Sequence, residues 1–196
     1  MYQENDFSFN KETHIYRLNN KIIPSVTQVL QAEGITDYSY ADESDREWGQ
    51  AGHKITELWD RGVLDKRTVS KPLIPCLEAW KKFLSDFKVK VILEWIERPI
   101  CSHRYRYGVT PDRLCLIDGI HTLVELKFAS GIQKGTRIQL AAQKIAITEY
   151  LKTQRIRRWA LQITKEGKGI PHFFNNKADE SIWISAINLW RFKDEN

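Results

Sequence analysis

Two acidic residues and a lysine, Asp112, Glu125 and Lys127, lie in a stretch of chain that is otherwise largely apolar. The runs 112–117 and 122–128 read as strands, and Asp118-Gly119 between them predicts a hairpin closed by a type I′ turn. With that turn Ile117 pairs with Ile120, and counting outward places Asp112 opposite Glu125. A strand period of two then puts Lys127 on the same face. A four-residue loop from Asp118 to His121 would set Asp112 opposite Lys127 instead, yet the three side chains would still share a face.

An unpaired buried carboxylate is costly, and two at cross-strand distance repel unless a cation lies between them. Hard oxygen donors on a rigid hairpin suit Mg2+ or Mn2+, which lowers the pKa of a bound water and so makes a nucleophile. Lys127 could orient or deprotonate that water, or neutralise charge developing on a phosphate. The chemistry would be metal-assisted hydrolysis of a phosphodiester. The same residues also fit a plain structural salt bridge, Asp112 or Glu125 to Lys127, on a half-exposed sheet.

Other groups could join such a site. In Gly49-Gln50-Ala51-Gly52-His53 the histidine lies one helical turn from Glu57, with Asp60 a turn further on. A neutral imidazole there could complete a metal's coordination shell with Glu57 orienting it, while Gly49 and Gly52 let another backbone approach. The alternative is a surface or satisfied core histidine. Gln139 and Gln143 are also i,i+4, on a stripe continued by Ala146 and Tyr150. Their amides could donate to a phosphate or orient a water, or could simply be the polar face of a solvated helix. Lys134 and Arg137 mark the start of that helix, where free N–H groups and positive charge would hold a phosphate. Lys152, Arg155, Arg157 and Arg158, and separately Lys165 and Lys168, could follow a nucleic-acid backbone. Lys81, Lys82, Lys88 and Lys90 read as a solvated face. Trp95, Trp159, Trp183 and Trp190 could stack on bases, but their apolar neighbours predict core packing.

The elements that must position these groups follow from periodicity and turn residues. Residues 7–23 predict a small N-terminal hairpin turning at Asn19-Asn20. A short helix over 26–32 is opened by Pro24-Ser25 and ended by Gly34, and 37–45 reads as a loop. Helices are expected at 46–61, ended by Gly62, at 72–88, at 137–152 and at 179–192. Strands are expected at 89–98, 100–108 and 159–163, the last closing on a turn at 167–169. This pattern predicts an α/β chain with a mixed central β-sheet flanked by α-helices, plus an N-terminal hairpin and helical additions. One domain spans 1–196: hairpin 1–23, helical part 24–90, and catalytic sheet with flanking helices 91–196.

The 196 residues are 42% hydrophobic, enough for a sizeable core, and 30 Lys+Arg against 25 Asp+Glu give a net charge of +5, which favours a polyanionic partner. Cys76, Cys101 and Cys115 lack any CxxC spacing, which argues against a disulfide framework, a zinc site or an iron-sulfur cluster. With a polar, acidic N-terminus and no apolar run long enough to cross a bilayer, the expectation is a non-membrane protein of a bacterial or phage-infected cytoplasm.

These motifs, in this order, resemble the PD-(D/E)xK nuclease superfamily, and within it the RecB-like exonucleases of phages and of mitochondrial genome maintenance. Gly49-x-x-x-His53 is similar to the first motif, Pro111-Asp112 to the second, Glu125-x-Lys127 to the third, and Gln139 with Gln143 to the fourth. The run Pro24-Ser25-Val26-Thr27-Gln28-Val29-Leu30 is similar to an N-terminal signature of the same relatives. The resemblance covers roughly residues 22–150 and implies a restriction-endonuclease-like core. It also implies that His53, Asp112, Glu125 and the backbone carbonyl of Leu126 hold Mg2+ or Mn2+. Lys127 would be the catalytic lysine, and Gln139 would position substrate or that lysine. The fourth motif usually ends in Tyr where this chain has Gln143. The cysteines of CRISPR-associated relatives have no counterpart here. The implied activity is exonucleolytic hydrolysis of DNA from a free end, single- or double-stranded, in phage or bacterial recombination or repair. A homo-oligomer or a recombination partner protein is compatible with that role. Two other readings stay open: a structure-specific or nicking endonuclease of the same fold, and a non-catalytic nucleic-acid-binding accessory protein.

Overall fold

The computed structural model describes residues 2–4, 6–37 and 42–194. Its first strands are β1 (Tyr2–Glu4), β2 (Phe7–Asn10), β3 (Ile15–Leu18) and β4 (Lys21–Ile23), hydrogen-bonded in that order into an antiparallel sheet. The expected hairpin is therefore a four-stranded meander. Alternation buries Phe7, Phe9, Tyr16, Leu18 and Ile23 together with Cys101 in a small core of their own. Asn19 and Asn20 both hold positive φ, 52° and 62°, as a tight turn with the right-handed twist of its strands requires.

Helix α1 (Val26–Ala32) begins where expected because Ser25 and Gln28 form a reciprocal capping box, the Ser25 hydroxyl accepting from the Gln28 N–H and the Gln28 amide accepting from the Ser25 N–H. Of the loop expected over 37–45, residues 38–41 lie outside the described residues. The end of that loop is helical: Asp42 caps α2 (Glu43–Asp60) by accepting from the Asp45 N–H, so the helix starts three residues early. Helix α3 (Ile74–Asp86) follows a 3-10 turn at Lys71–Leu73.

The strand expected over 89–98 shrinks to β5 (Lys90–Val91), because residues Leu93–Trp95 wind into a 3-10 turn and Glu97 takes a left-handed φ of 50°. The next expected strand is a hairpin, β6 (Ile100–Ser102) with β7 (Tyr107–Val109), forming a separate two-stranded sheet. There follow β8 (Arg113–Ile117), β9 (Ile120–Phe128), α4 (Gly135–Leu151), β10 (Ile156–Ile163), β11 (Gly169–Phe174) and α5 (Ala178–Asp194). Strand β11 was not anticipated, since the sequence predicts no more than a turn over 167–169 there.

The central sheet runs β11-β10-β9-β8-β5, with β9 and β10 parallel and the remaining pairs antiparallel. A parallel pair needs a crossover, and α4 supplies it. That helix and α5 cover one face through Ile138, Ala142, Ile147 and Trp183 against Leu114 and Leu123. On the other face α3 packs Trp80 and Phe83 against Val124, Leu126 and Leu161. Each large apolar side chain buried this way contributes about 1.5–3 kcal/mol. The chain is thus a mixed α/β protein with a mixed central sheet between helical layers, and Trp95 and Trp183 belong to its core. Among the described residues no helix is long and apolar enough to cross a membrane.

Candidate metal centre

Asp118 and Gly119 both adopt positive φ, 52° and 71°, the signature of a type I′ turn. The ladder runs from Ile117↔Ile120 to Arg113↔Val124, and one further step brings Asp112 level with Glu125. Asp112 lies just beyond the end of β8, where the Leu126 N–H donates to its Oδ2 at 2.7 Å. Within a strand the N–H and C=O of one residue leave toward the same edge, so the Leu126 carbonyl faces the Asp112 side as well.

His53 reaches this point from α2. Its Nδ1 lies 3.7 Å from Asp112 Oδ1 and 3.8 Å from Glu97 Oε1. One donor atom from each of His53, Glu97 and Asp112 falls within 4.8 Å of the others. The close approach of α2 depends on Gly52: a Cβ there would lie 2.5 Å from the Phe128 ring, which in turn packs edge-on against His53 and Trp48. It is therefore a side chain and not a backbone that Gly52 admits, and Gly49 faces open space.

Glu97 was missed in the sequence because it is embedded in an apolar run that reads as a strand. A strand would have turned it away on period two. The left-handed residue ends the 3-10 turn, its N–H donates to the Asp112 carbonyl at 3.1 Å, and its carboxylate accepts from Arg113 at 3.4 Å. Glu57 and Asp60 do not serve His53. Glu57 accepts from Lys54 and Arg61 along its own helix, both at 3.0 Å. Asp60 turns inward, accepting from Arg113 Nε at 2.7 Å and from the Trp80 indole at 2.8 Å. Arg113, fully buried, also donates to the Asp112 carbonyl at 2.7 Å. This ion pair holds the backbone behind Asp112 and steadies Glu97.

Glu125 lies outside the tight three-residue cluster and is engaged at both oxygens. Its Oε1 accepts from Lys127 at 2.9 Å and Gln139 at 2.7 Å, and its Oε2 from Gln143 at 2.7 Å. Lys127 also donates to Gln139 Oε1 at 3.0 Å, so one amide bridges the acid and the ammonium. The i,i+4 spacing of the two glutamines does place them on one stripe, but that stripe rests on the sheet. Gln143 is 1% exposed, which removes it from the expected DNA-contacting residues and equally from a solvated face.

Burial pushes the Asp112 carboxyl up to about 7, with Glu125 and Glu97 adding to the rise against the pull of His53 and Lys127. For His53 burial works the other way, but Asp112, Glu97 and Glu125 together outweigh it and raise the imidazole above its ordinary value. Excess negative charge at this point favours a cation among the donors. Two carboxylate oxygens and an imidazole nitrogen so placed could hold a metal ion. His53, Glu97 and Asp112 line a cleft of about 690 Å³ between α2 and the N-terminal sheet.

Most of the basic residues singled out in the sequence are elsewhere. Lys152, Arg155 and Arg157 gather near the β8–β9 turn, at the opposite end of the sheet: Arg157 aligns with Thr122 and lies 3.4 Å from Asp118, and Lys152 is the left-handed cap of α4. Arg158 is 4% exposed, bridging Asp179 at 3.0 Å and the Asn176 carbonyl, so it cannot follow a nucleic-acid backbone. Arg137 is drawn to the same Asp179 in the first turn of α5. Lys134 is exposed at the start of α4, and Lys165 is paired with Asp45.

No protein-family model and no curated protein matches this sequence. Among solved structures, one described as a "putative exonuclease" from Eubacterium rectale is similar over 85% of this chain and 71% of its own, with 8% identity and a TM-score of 0.48. A second, known by a locus name alone, is similar over 86% of this chain and 84% of its own, with 12% identity and a TM-score of 0.38.

Proposed function

We propose that this chain is a divalent-metal-dependent nuclease that hydrolyses DNA phosphodiester bonds, working from ends as an exonuclease. The observation that carries the reading is the convergence of His53, Glu97 and Asp112 within 4.8 Å, beside a lysine held by an acid and an amide. The order of the motifs along the sequence supports the exonuclease form. His53, Glu97 and Asp112 would hold Mg2+ or Mn2+, with Glu125 and the Leu126 carbonyl as adjacent donors. Such a cation supplies Lewis acidity, activating water and offsetting charge on the phosphate.

The chain's own groups do the rest. Lys127, fixed by Glu125 and Gln139, presents an ammonium that can hold or release a proton at Nζ and stabilise a developing oxyanion. Gln139 limits the freedom of that ammonium, and Gln143 holds the far oxygen of Glu125 from below. The Asp60–Arg113 pair keeps Asp112 and Glu97 in register.

The test is incubation of the purified protein with end-labelled single- and double-stranded DNA and with covalently closed circles, in Mg2+, Mn2+ or EDTA. Cleavage of linear DNA in metal, none in EDTA and none of the circle is expected. Lys127→Ala should abolish cleavage while the protein stays folded and still binds DNA. Undiminished Mg2+-dependent cleavage by that variant would falsify the role given to Lys127, and cutting of the circle would replace the exonuclease by an endonuclease.

A further inference from the structure

The turn between β2 and β3 overhangs the candidate metal centre, and nothing in its sequence announced a part in the site. Phe9, Lys11 and His14 of the N-terminal sheet form one wall of the 690 Å³ cleft that His53, Glu97 and Asp112 also line, as does Lys54 of α2, paired there with Glu57. His14 also borders a second, smaller space of about 90 Å³ that reaches Gln139, the partner of Lys127. It is thus positioned over both halves of the centre, the ligand side and the lysine side.

The geometry of this histidine is specified with some care. Its backbone is left-handed, φ 53°, in a turn organised by the Asn10 side chain, which accepts from the N–H groups of Glu12 and Thr13. A non-glycine residue held in that region is a conformational expense that tends to persist where a side chain must be aimed. The ring stands edge-on against two others, Phe9 at 5.3 Å and Tyr16 at 5.4 Å, while the residue remains exposed. The wall is also fixed to β7 and to the chain that leads from it to Asp112. The Tyr16 hydroxyl shares a hydrogen bond of 2.8 Å with Thr110, two residues before Asp112, and the Tyr16 ring occupies the space that a Cβ on Gly108 would need.

We propose that this wall receives a single, unpaired strand of nucleic acid, with a base stacked on His14 and the neighbouring phosphate held at the cleft mouth between Lys11 and Lys54. An exposed ring backed by two others, with lysines beside it to meet the backbone, is the combination that single-strand binding uses. The size agrees. A space of about 690 Å³ falls in the range of small-ligand pockets, about 300–1,000 Å³, and fits a nucleotide or two. A duplex is a far wider body, its major groove alone measuring about 12 Å. Partial burial of the ring against Phe9 and Tyr16 lowers the pKa of His14 and so favours its neutral form, which offers a π face where Lys11 offers charge. The inference rests on the nuclease reading only in placing the scissile phosphate at the metal ligands.

His14→Asn is the informative variant, since Asn removes the ring yet tolerates the left-handed backbone. With a fluorescein-labelled single-stranded oligodeoxynucleotide, the variant should bind about tenfold more weakly than wild type by anisotropy, at an unchanged melting temperature. The loss should appear in KM for single-strand cleavage and leave kcat nearly unaltered. An abasic residue next to the cleaved bond should cost the wild type about as much and the variant nothing more, a pattern that a merely structural His14 would not give. The same sequence as a blunt duplex should be cut at least about tenfold more slowly. Equal cutting of duplex and single strand, or equal single-strand binding by His14→Asn and wild type, overturns the proposal. If the wild type cleaves no DNA in either metal, the nuclease reading fails, and the anisotropy result still decides whether this wall binds a strand.

Discussion

Replacing Asp112 with Asn should destroy metal binding yet stabilise the metal-free protein at alkaline pH. In the unfolded chain the carboxyl titrates near its ordinary value of about 3.9. In the folded protein burial, Glu125 and Glu97 lift it to about 7. Between those values the folded state keeps a proton that the unfolded state has lost, so stability falls as pH rises through that window. A gap of about 3 in pKa corresponds to about 4 kcal/mol, a ceiling on what ionising Asp112 costs the empty site. His53 acts in the same direction: raised above its ordinary value, its contribution is present in acid and lost as pH rises through its folded pKa. Asn mimics the protonated acid and can still accept from the Leu126 N–H, so the variant should lack most of this slope.

The assay is thermal unfolding in EDTA at pH 5 and pH 8. For a chain of this size 1 kcal/mol moves Tm by about 2–4 °C, so at pH 8 the variant should melt several degrees above wild type, and at pH 5, about one unit above the unfolded pKa, the gap should shrink to about a third of that. Adding Mn2+ at pH 8 should raise the wild type, by about 2.7 kcal/mol at a hundredfold excess over Kd, and leave the variant unmoved. A variant less stable than wild type at both pH values in EDTA, or one stabilised equally by Mn2+, would refute the electrostatic account of the centre.

Three further outcomes follow from particular contacts. Glu97→Gln should weaken Mn2+ binding at least about tenfold by calorimetry, and an unaltered affinity would remove Glu97 from the ligand set. Gly52→Ala drives a methyl group into Phe128, so urea denaturation should show a loss of about 1–3 kcal/mol, with weaker metal binding because His53 packs on the same ring. Arg113→Ala strands Asp60 in the interior and should lower stability by about 3–5 kcal/mol, and a variant within about 0.5 kcal/mol of wild type would mean that Asp60 finds another partner or a proton.

What could be read from the sequence was local. Asp118-Gly119 dictates its turn through two positive φ angles, and the register of Asp112, Glu125 and Lys127 follows by counting. Ser25 and Gln28 announce α1 in the same way, through bonds within one helical turn. The rest depended on docking. The i,i+4 spacing of Gln139 and Gln143 defines a stripe without saying whether it meets solvent or sheet, and Glu125 decides that from another element. His53 had the right spacing with Glu57, but the carboxylates that face it come from Asp112 and Glu97. Arg158 looked like one of a basic run, yet alternation along β10 turns it inward to Asp179 while Arg157 stays at the surface. Glu97 needed a backbone conformation that hydrophobic periodicity cannot express.

The β8–β9 turn also sets an order of assembly. Asp112, Glu125 and Lys127 lie on one hairpin, and hairpins close in about 1–10 μs. Gln139, which accepts from Lys127, and Gln143, which donates to Glu125, come with α4, the crossover between β9 and β10, whose parallel pairing is non-local and carries loop-closure entropy. His53 and Glu97 arrive from still other segments. The hairpin's carboxylates are thus expected to be brought together earlier in folding than the complete cluster with His53 and Glu97, so a partly folded chain would present the acids without their neighbours.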